Sequence, residues 1–249
     1  MKSAAILGVS LLFALPLVAQ TAPAPCPADA TTQCQEIQQM QARLDDWAQL
    51  NRYRASNAAL PPVTPGEHRV VFMGDSITDA WGHGADFFPG KPYINRGISG
   101  QTTPQMLVRF QQDVVHLNPS VVVILAGTND IAGNTGPSTP QMIEDNFVSM
   151  ADIAHQSGIK VVIASILPAA AYPWRPGIKP ASEIREINEW LKNFCQRDGD
   201  VYLDYYSALT DAEGGMGPGL SKDGVHPTPK GYAIMAPLAE KAIADALAK

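Results

Sequence analysis

The run Val121-Val122-Val123-Ile124-Leu125 is apolar at every position. A strand with one wet face alternates polar and apolar residues, and a strand covered on both faces does not. This run, almost all β-branched, therefore predicts a central strand of a parallel sheet. The chain around it alternates in the same sense. Strand signals at 69–73, 92–95, 120–126, 160–167 and 201–203 are interleaved with helical patterns at 104–117, 140–157 and 181–197, and a last helix is predicted over 229–248. Such alternation implies right-handed crossovers and an α/β fold with helices on both faces of the sheet. Ligands of such sheets bind beyond the carboxyl ends of the strands, so residues distant in sequence converge on one edge.

The remaining chain fits one domain of this kind. Its 249 residues are 45% hydrophobic and 17% charged, which argues against disorder. A net charge of −6, with no basic run, disfavours nucleic acid and anionic membrane surfaces as partners. Residues 1–20 read as a secretory signal: Lys2, an apolar stretch from Ala4 to Leu15, then Pro16 and the small residue Ala19 before Gln20. The stretch falls short of the roughly 20 residues that a spanning helix needs. A retained N-terminal anchor is the alternative reading. Cleavage would make the protein secreted or periplasmic, without stable insertion in a membrane.

Residues 21–32 form a Pro/Ala-rich spacer. The domain then occupies 33–249, opening with a helical extension over 33–57. Ile37, Met40, Leu44, Trp47, Leu50 and Tyr53 recur there every three or four residues, on one helical face. Export permits disulfides. Cys26 and Cys34 are close enough for a local bridge that would leave Cys195 over, but the spacing does not fix the pairing. No CxxC, HxxxH or clustered histidine suggests a metal.

Four short blocks carry chemistry. Gly74-Asp75-Ser76 closes the first strand, Gly97-Ile98-Ser99-Gly100 the second and Gly127-Thr128-Asn129-Asp130 the third, while Asp223-Gly224-Val225-His226-Pro227 precedes the last helix. Each has a plain reading: a helix-capping serine, turn glycines, a turn asparagine. Each also has a chemical one. Ser76 at a strand-to-helix turn can present its hydroxyl to a crevice, with its own N–H among the free donors of the helix start. A glycine N–H at Gly100 can approach a reacting oxygen closely, and the Asn129 side chain is a neutral donor to a developing oxyanion. Asp223, three residues before His226, can fold back onto imidazole Nδ1 and leave Nε2 free as a base. His68, His83, His116 and His155 lack such a carboxylate and read as solvated surface, with His83 set apart because it follows the Ser76 loop. Cys195, in a helical and partly apolar run, is a poorer nucleophile than Ser76.

Taken in order, Gly74-Asp75-Ser76, Gly100, Gly127-x-Asn129-Asp130 and Asp223-x-x-His226 resemble the four blocks of the SGNH, or GDSL-type, hydrolases over roughly residues 68–248. The resemblance implies a flavodoxin-like three-layer α/β/α sandwich with a five-stranded parallel sheet of order 2-1-3-4-5. It implies Ser76 as nucleophile, His226 as general base and then acid, Asp223 as the group orienting His226, and an oxyanion hole from the Ser76 N–H, the Gly100 N–H and the Asn129 side chain. It implies no metal and no organic cofactor. The expected activity is a secreted serine ester hydrolase removing a short acyl group, an acetyl group on a sugar being favoured. A lysophospholipase- or thioesterase-type acylhydrolase is the alternative, and a carbohydrate-binding module that kept the fold without turnover is the alternative from another class. Asp75, Trp81, Tyr172 and Trp174 are candidate substrate contacts, the aromatic three as a wall on which a sugar would stack; packing under loops is the competing reading. The loop 167–181 is expected to overhang the edge that carries Ser76.

Overall fold

The computed structural model describes residues 32–83 and 87–249. The signal segment 1–20 and residues 21–31 of the spacer, Cys26 among them, lie outside the described residues. Two compact units are distinguished, one ending at Asp45 and the other spanning Asp46–Lys249. In the first, helix α1 (Thr32–Asp45) exposes Ile37, Met40 and Leu44. Cys34 is disulfide-bonded, whereas Cys195 is a free thiol.

The second unit begins with turns, not with the continuous helix expected to Asn57. The Asp46 carboxylate accepts from the amides of Leu50 (2.7 Å) and Asn51 (3.1 Å), and Gln49 adopts a φ of +54°. An acidic side chain bonding local amides offers the backbone an alternative to the helix. Only a short α2 (Arg54–Ala58) remains of the expected C-terminal half.

The core then alternates as expected: β1 (Val70–Gly74), α3 (Ser76–Asp79), β2 (Tyr93–Gly97), α4 (Thr103–Asp113), β3 (Val121–Leu125), α5 (Thr128–Ile131), α6 (Pro140–Gln156), β4 (Lys160–Ala164), α7 (Ala181–Asp198), β5 (Val201–Leu203), α8 (Tyr206–Leu209) and α9 (Pro229–Leu247). The sheet is wholly parallel, in the order β2-β1-β3-β4-β5. Successive strand residues face opposite sides. Val71, Met73, Val122, Ile124, Val161 and Ile163 pack with residues of α4, α6 and α7. Val70, Phe72, Val121, Val123, Val162 and Leu203 pack with residues of α3, α8 and α9. The uninterrupted apolar strands are thus explained by two cores, one on each side of the sheet.

Thr139-Pro140 and Thr228-Pro229 start α6 and α9. In each, the threonine oxygen accepts a first-turn amide and the proline sits where no amide donor is needed. These starts fix where the chain re-enters helix after the loops beyond β3 and β5, which carry functional groups.

Candidate active site

Three strand ends and one loop build the site. Beyond β1, Asp75 caps α3, its Oδ1 accepting from the Ile77 N–H at 2.9 Å. Ser76 is therefore the first residue of a helix lying beyond the carboxyl end of β1. Beyond β2, the turn at Ile98–Gly100 is tied to the same helix: the Ser99 hydroxyl and amide donate to Asp79 Oδ2 at 2.6 and 3.2 Å. A Cβ at Gly97 would lie 2.1 Å from the Asp79 nitrogen, so only glycine permits this approach. Gly100 has a φ of +81°, a region that disfavours side chains. Among the described residues, none accepts a hydrogen bond from the N–H of Ser76 or of Gly100.

Beyond β3, Asn129 sits in α5 with 3% of its surface exposed. Its Nδ2 donates to the Gln101 carbonyl at 3.0 Å and, at a longer 3.3 Å, to Asp75 Oδ2. In the loop before α9, Asp223 Oδ1 accepts from the amides of Val225 (2.9 Å) and His226 (2.8 Å), and its Oδ2 lies 2.6 Å from His226 Nδ1. The Ser221 hydroxyl fastens the turn, 2.8 Å from the His226 carbonyl. His226 Nε2 then lies 2.9 Å from Ser76 Oγ, across 150 residues of sequence. With Nδ1–H held by the carboxylate, Nε2 presents a lone pair to the serine hydroxyl. That arrangement can withdraw a proton as the serine oxygen attacks an electrophile.

The charges are set by their surroundings. Burial alone would push the Asp223 carboxyl up; bonds from the His226 amide, the His226 ring and the Val225 amide outweigh it and hold the group well below the usual carboxylate range. Asp75, 1% exposed, is pushed up to about 7 by burial, against the pull of the Ile77 amide. Burial raises Asp130 to about 6, although the Thr103 hydroxyl and amide both donate to it.

The remaining sequence candidates separate. Trp174 is 39% exposed, and its ring lies 6.3 Å from that of His226, so the loop 167–181 does reach the edge that carries Ser76. Tyr172 is not a wall residue: it is 1% exposed and stacks beneath Trp174 at 5.2 Å. Trp81 is buried in an aromatic cluster with Phe72, Phe88 and Tyr232, where a flat apolar ring contributes more than it would in water. Asp75, as a buried cap, offers no surface to a substrate. His83 is exposed and joins no part of the site. His155 is not simply solvated, since its Nε2 lies 2.7 Å from Asp200 Oδ1, a pairing across 45 residues that local spacing could not reveal. Cys195 is buried in α7, and burial raises its thiol to about 12, which removes it as a nucleophile.

Two groups escaped the sequence. Ser221 lies just outside the Asp223–His226 block. Asn134, in the loop after α5, bonds Asn129, Gly100 and Trp174 at once. Neither has a local pattern that distinguishes it from turn residues.

A family model described as GDSL-like lipase/acylhydrolase matches residues 72–234, a stretch that contains Ser76, Gly100, Asn129, Asp223 and His226. The chain belongs to this GDSL-like family. It is accordingly a carboxylic ester hydrolase. Among solved structures, one described as a putative acylhydrolase from Bacteroides fragilis is 46% identical and covers 81% of this chain and 99% of its own, with a TM-score of 0.79. A GDSL-like lipase from Bacteroides thetaiotaomicron is 44% identical, covers 80% and 98% respectively, and has a TM-score of 0.78. Esterase TesA from Pseudomonas aeruginosa is 30% identical over 139 residues, which is 54% of this chain and 60% of that esterase. Among the described residues of this GDSL-like hydrolase, no helix is long and apolar enough to cross a membrane, and no cluster of three or more His, Cys, Asp or Glu residues could hold a metal ion.

Proposed function

We propose that the protein is an exported serine esterase that removes a short acyl group, acetyl in the first instance, from a carbohydrate or similarly flat alcohol. The observation that carries the catalytic part is the continuous line from Asp223 Oδ2 through the His226 ring to Ser76 Oγ, with contacts of 2.6 and 2.9 Å. Ser76 Oγ attacks the acyl carbon while its proton passes to His226 Nε2. The carbonyl electron pair moves onto oxygen, towards the N–H groups of Ser76 and Gly100 and the Nδ2 of Asn129. The bond from Asn129 Nδ2 to Asp75, the longer of its two, is the one such an oxyanion would displace. Collapse of the adduct expels the alcohol, which takes the proton from Nε2. Water then repeats the sequence on the acyl-serine and releases the carboxylic acid. Asp223 stays ionised throughout because its surrounding donors hold its carboxyl so low.

Trp174 supports the substrate part of the reading. Its exposed ring stands beside His226 on a loop stiffened by Pro173 and Pro176, with Tyr172 stacked beneath. A fixed aromatic plane suits a flat alcohol better than an acyl chain that needs an adaptable groove. Export rests on the charged start and apolar stretch of residues 1–20.

The test is a series of p-nitrophenyl esters from acetyl to palmitoyl, run on the wild type and Ser76→Ala. Acetyl should give the highest kcat/KM, a serine-directed phosphonate should label Ser76, and Ser76→Ala should keep less than about a hundredth of the wild-type rate. Faster turnover of palmitoyl or lysophospholipid substrates would move the protein to the long-chain acylhydrolases.

A further inference from the structure

Asn129 can serve an oxyanion only if its amide points its nitrogen, not its oxygen, at the site. An asparagine carries both at nearly the same shape, so something else must choose between them. Half of the choice can be traced through two bonds. Trp174 Nε1 is a donor only, and it donates to Asn134 Oδ1 at 3.1 Å. That contact fixes the polarity of the Asn134 amide, because the reverse orientation would set two donors against each other. Asn134 Nδ2 therefore faces two acceptors, the Gly100 carbonyl at 3.2 Å and Asn129 Oδ1 at 2.8 Å. With Oδ1 held by Asn134 and Nδ2 held by the acceptor-only Gln101 carbonyl at 3.0 Å, Asn129 is fixed from both ends, with Nδ2 towards Asp75 and the reacting edge.

We propose that Asn134 is a positioning residue of the esterase, a relay by which the indole N–H of Trp174, together with the Gln101 carbonyl on the other side, fixes the amide of Asn129 and holds the Gly100 turn. This rests on the proposed role of Asn129 as an oxyanion donor. Trp174 then has two separable functions: its ring face meets the alcohol part of the substrate, and its N–H acts on the rate through Asn134. The second does not require the substrate to touch Trp174 at all.

The proposal separates kcat from KM. On ethyl acetate, whose alcohol carries no ring to stack at the rim, Trp174→Phe keeps an aromatic face, a smaller one, and deletes the donor. Its kcat should fall about fivefold, the size of one ordinary hydrogen bond, with KM little changed. Asn134→Ala should lower kcat about tenfold, short of the 10²–10³ typical of losing an oxyanion donor itself. Asn134→Asp keeps the shape but sets an acceptor against both Asn129 Oδ1 and the Gly100 carbonyl while Gln101 still holds Asn129 Nδ2, so the loss should exceed that of Asn134→Ala.

The double variant Trp174→Phe/Asn134→Ala should be no slower than Asn134→Ala alone, since both changes break one chain of contacts. Thermal unfolding run beside the kinetics separates loss of fold from loss of rate, and Trp174→Phe, at an exposed position and adding no charge, keeps the test decisive if the Asn134 variants are unstable. If Asn129→Ala lowers kcat but Trp174→Phe leaves it unchanged, or the double variant shows the product of the two single losses, the relay is wrong and the oxyanion assignment stands. If Asn129→Ala leaves kcat unchanged, the oxyanion assignment falls and the relay falls with it.

Discussion

Asp75 is the group whose removal gives the sharpest prediction. It is 1% exposed, caps α3 directly before Ser76, and is pushed from 3.8 up to about 7 by burial. A carboxyl raised in the folded state binds its proton more tightly there than in the unfolded chain. Between the two values the folded protein therefore carries more protons, and stability falls as pH rises from about 4 to about 7. At about 1.4 kcal/mol per unit, a rise of this size costs on the order of 4 kcal/mol once the group is ionised. Asp75→Asn keeps an oxygen to accept from the Ile77 amide and cannot ionise. The stability of the variant minus that of the wild type should accordingly grow by about 4 kcal/mol between pH 4 and pH 8 and level off above. Urea unfolding at half-unit pH steps measures it directly. Asp130, also raised by burial, bends both curves, and its charge is one of the causes of the rise at Asp75, so that part of the coupling belongs to the measured difference. A difference independent of pH would refute the argument and show that the carboxylate is as well solvated folded as unfolded.

Other expectations follow from the same contacts. Asn129→Ala should lower kcat by about 10²–10³ with little change in KM, checked by steady-state kinetics on an acetyl ester; an effect on KM alone would make it a ground-state binding group. Asp223→Asn should cost about 10⁴ in kcat, since it sets the wrong imidazole tautomer. Because the Asp223 carboxyl is held low, its stabilising contribution is present above the unfolded value near 3.8 and lost as pH falls below it, so the variant's stability should decline less in acid. Trp81→Ala should destabilise by about 3–5 kcal/mol in chemical denaturation while leaving the preference between acetylated sugars and a minimal acetyl ester unchanged, because the ring is core and not wall. Incubation with EDTA should leave turnover unchanged; loss restored by a divalent ion would overturn the serine mechanism drawn above.

The sheet was legible because its strands are covered on both faces, and a double core forces uninterrupted apolar runs. The same signal misplaces ends. Residues 160–167 read as one strand, but β4 stops at Ala164. Ile166 remains fully buried, yet its N–H and C=O turn to the side-chain amide of Asn188 on α7, at 2.7 and 2.9 Å. Burial continues where pairing has ended, and hydrophobicity reports only burial. The helix expected over 33–57 fails for the opposite reason. Its apolar spacing is intact through Tyr53, but the polar Asp46 captures the amides of Leu50 and Asn51, a local competition that periodicity does not register.

The site divides along similar lines. Asp223 and His226 could be paired from sequence because three residues separate them and the interaction is local. Ser76 could be joined to them only through the topology, which brings strand ends together whatever their distance in sequence. Trp81 and Trp174 are chemically identical in the sequence, yet one closes a core and the other stands beside His226; the difference is what each ring is laid against, Phe72, Phe88 and Tyr232 for the first and Tyr172 and His226 for the second. Asn134 is the least legible, because its contribution is a direction and not a position. A donor-only indole faces one end of its amide, so the other end must face Gly100 and Asn129. Four residues that each look like ordinary loop chemistry acquire a definite order only when their donors and acceptors are matched in space.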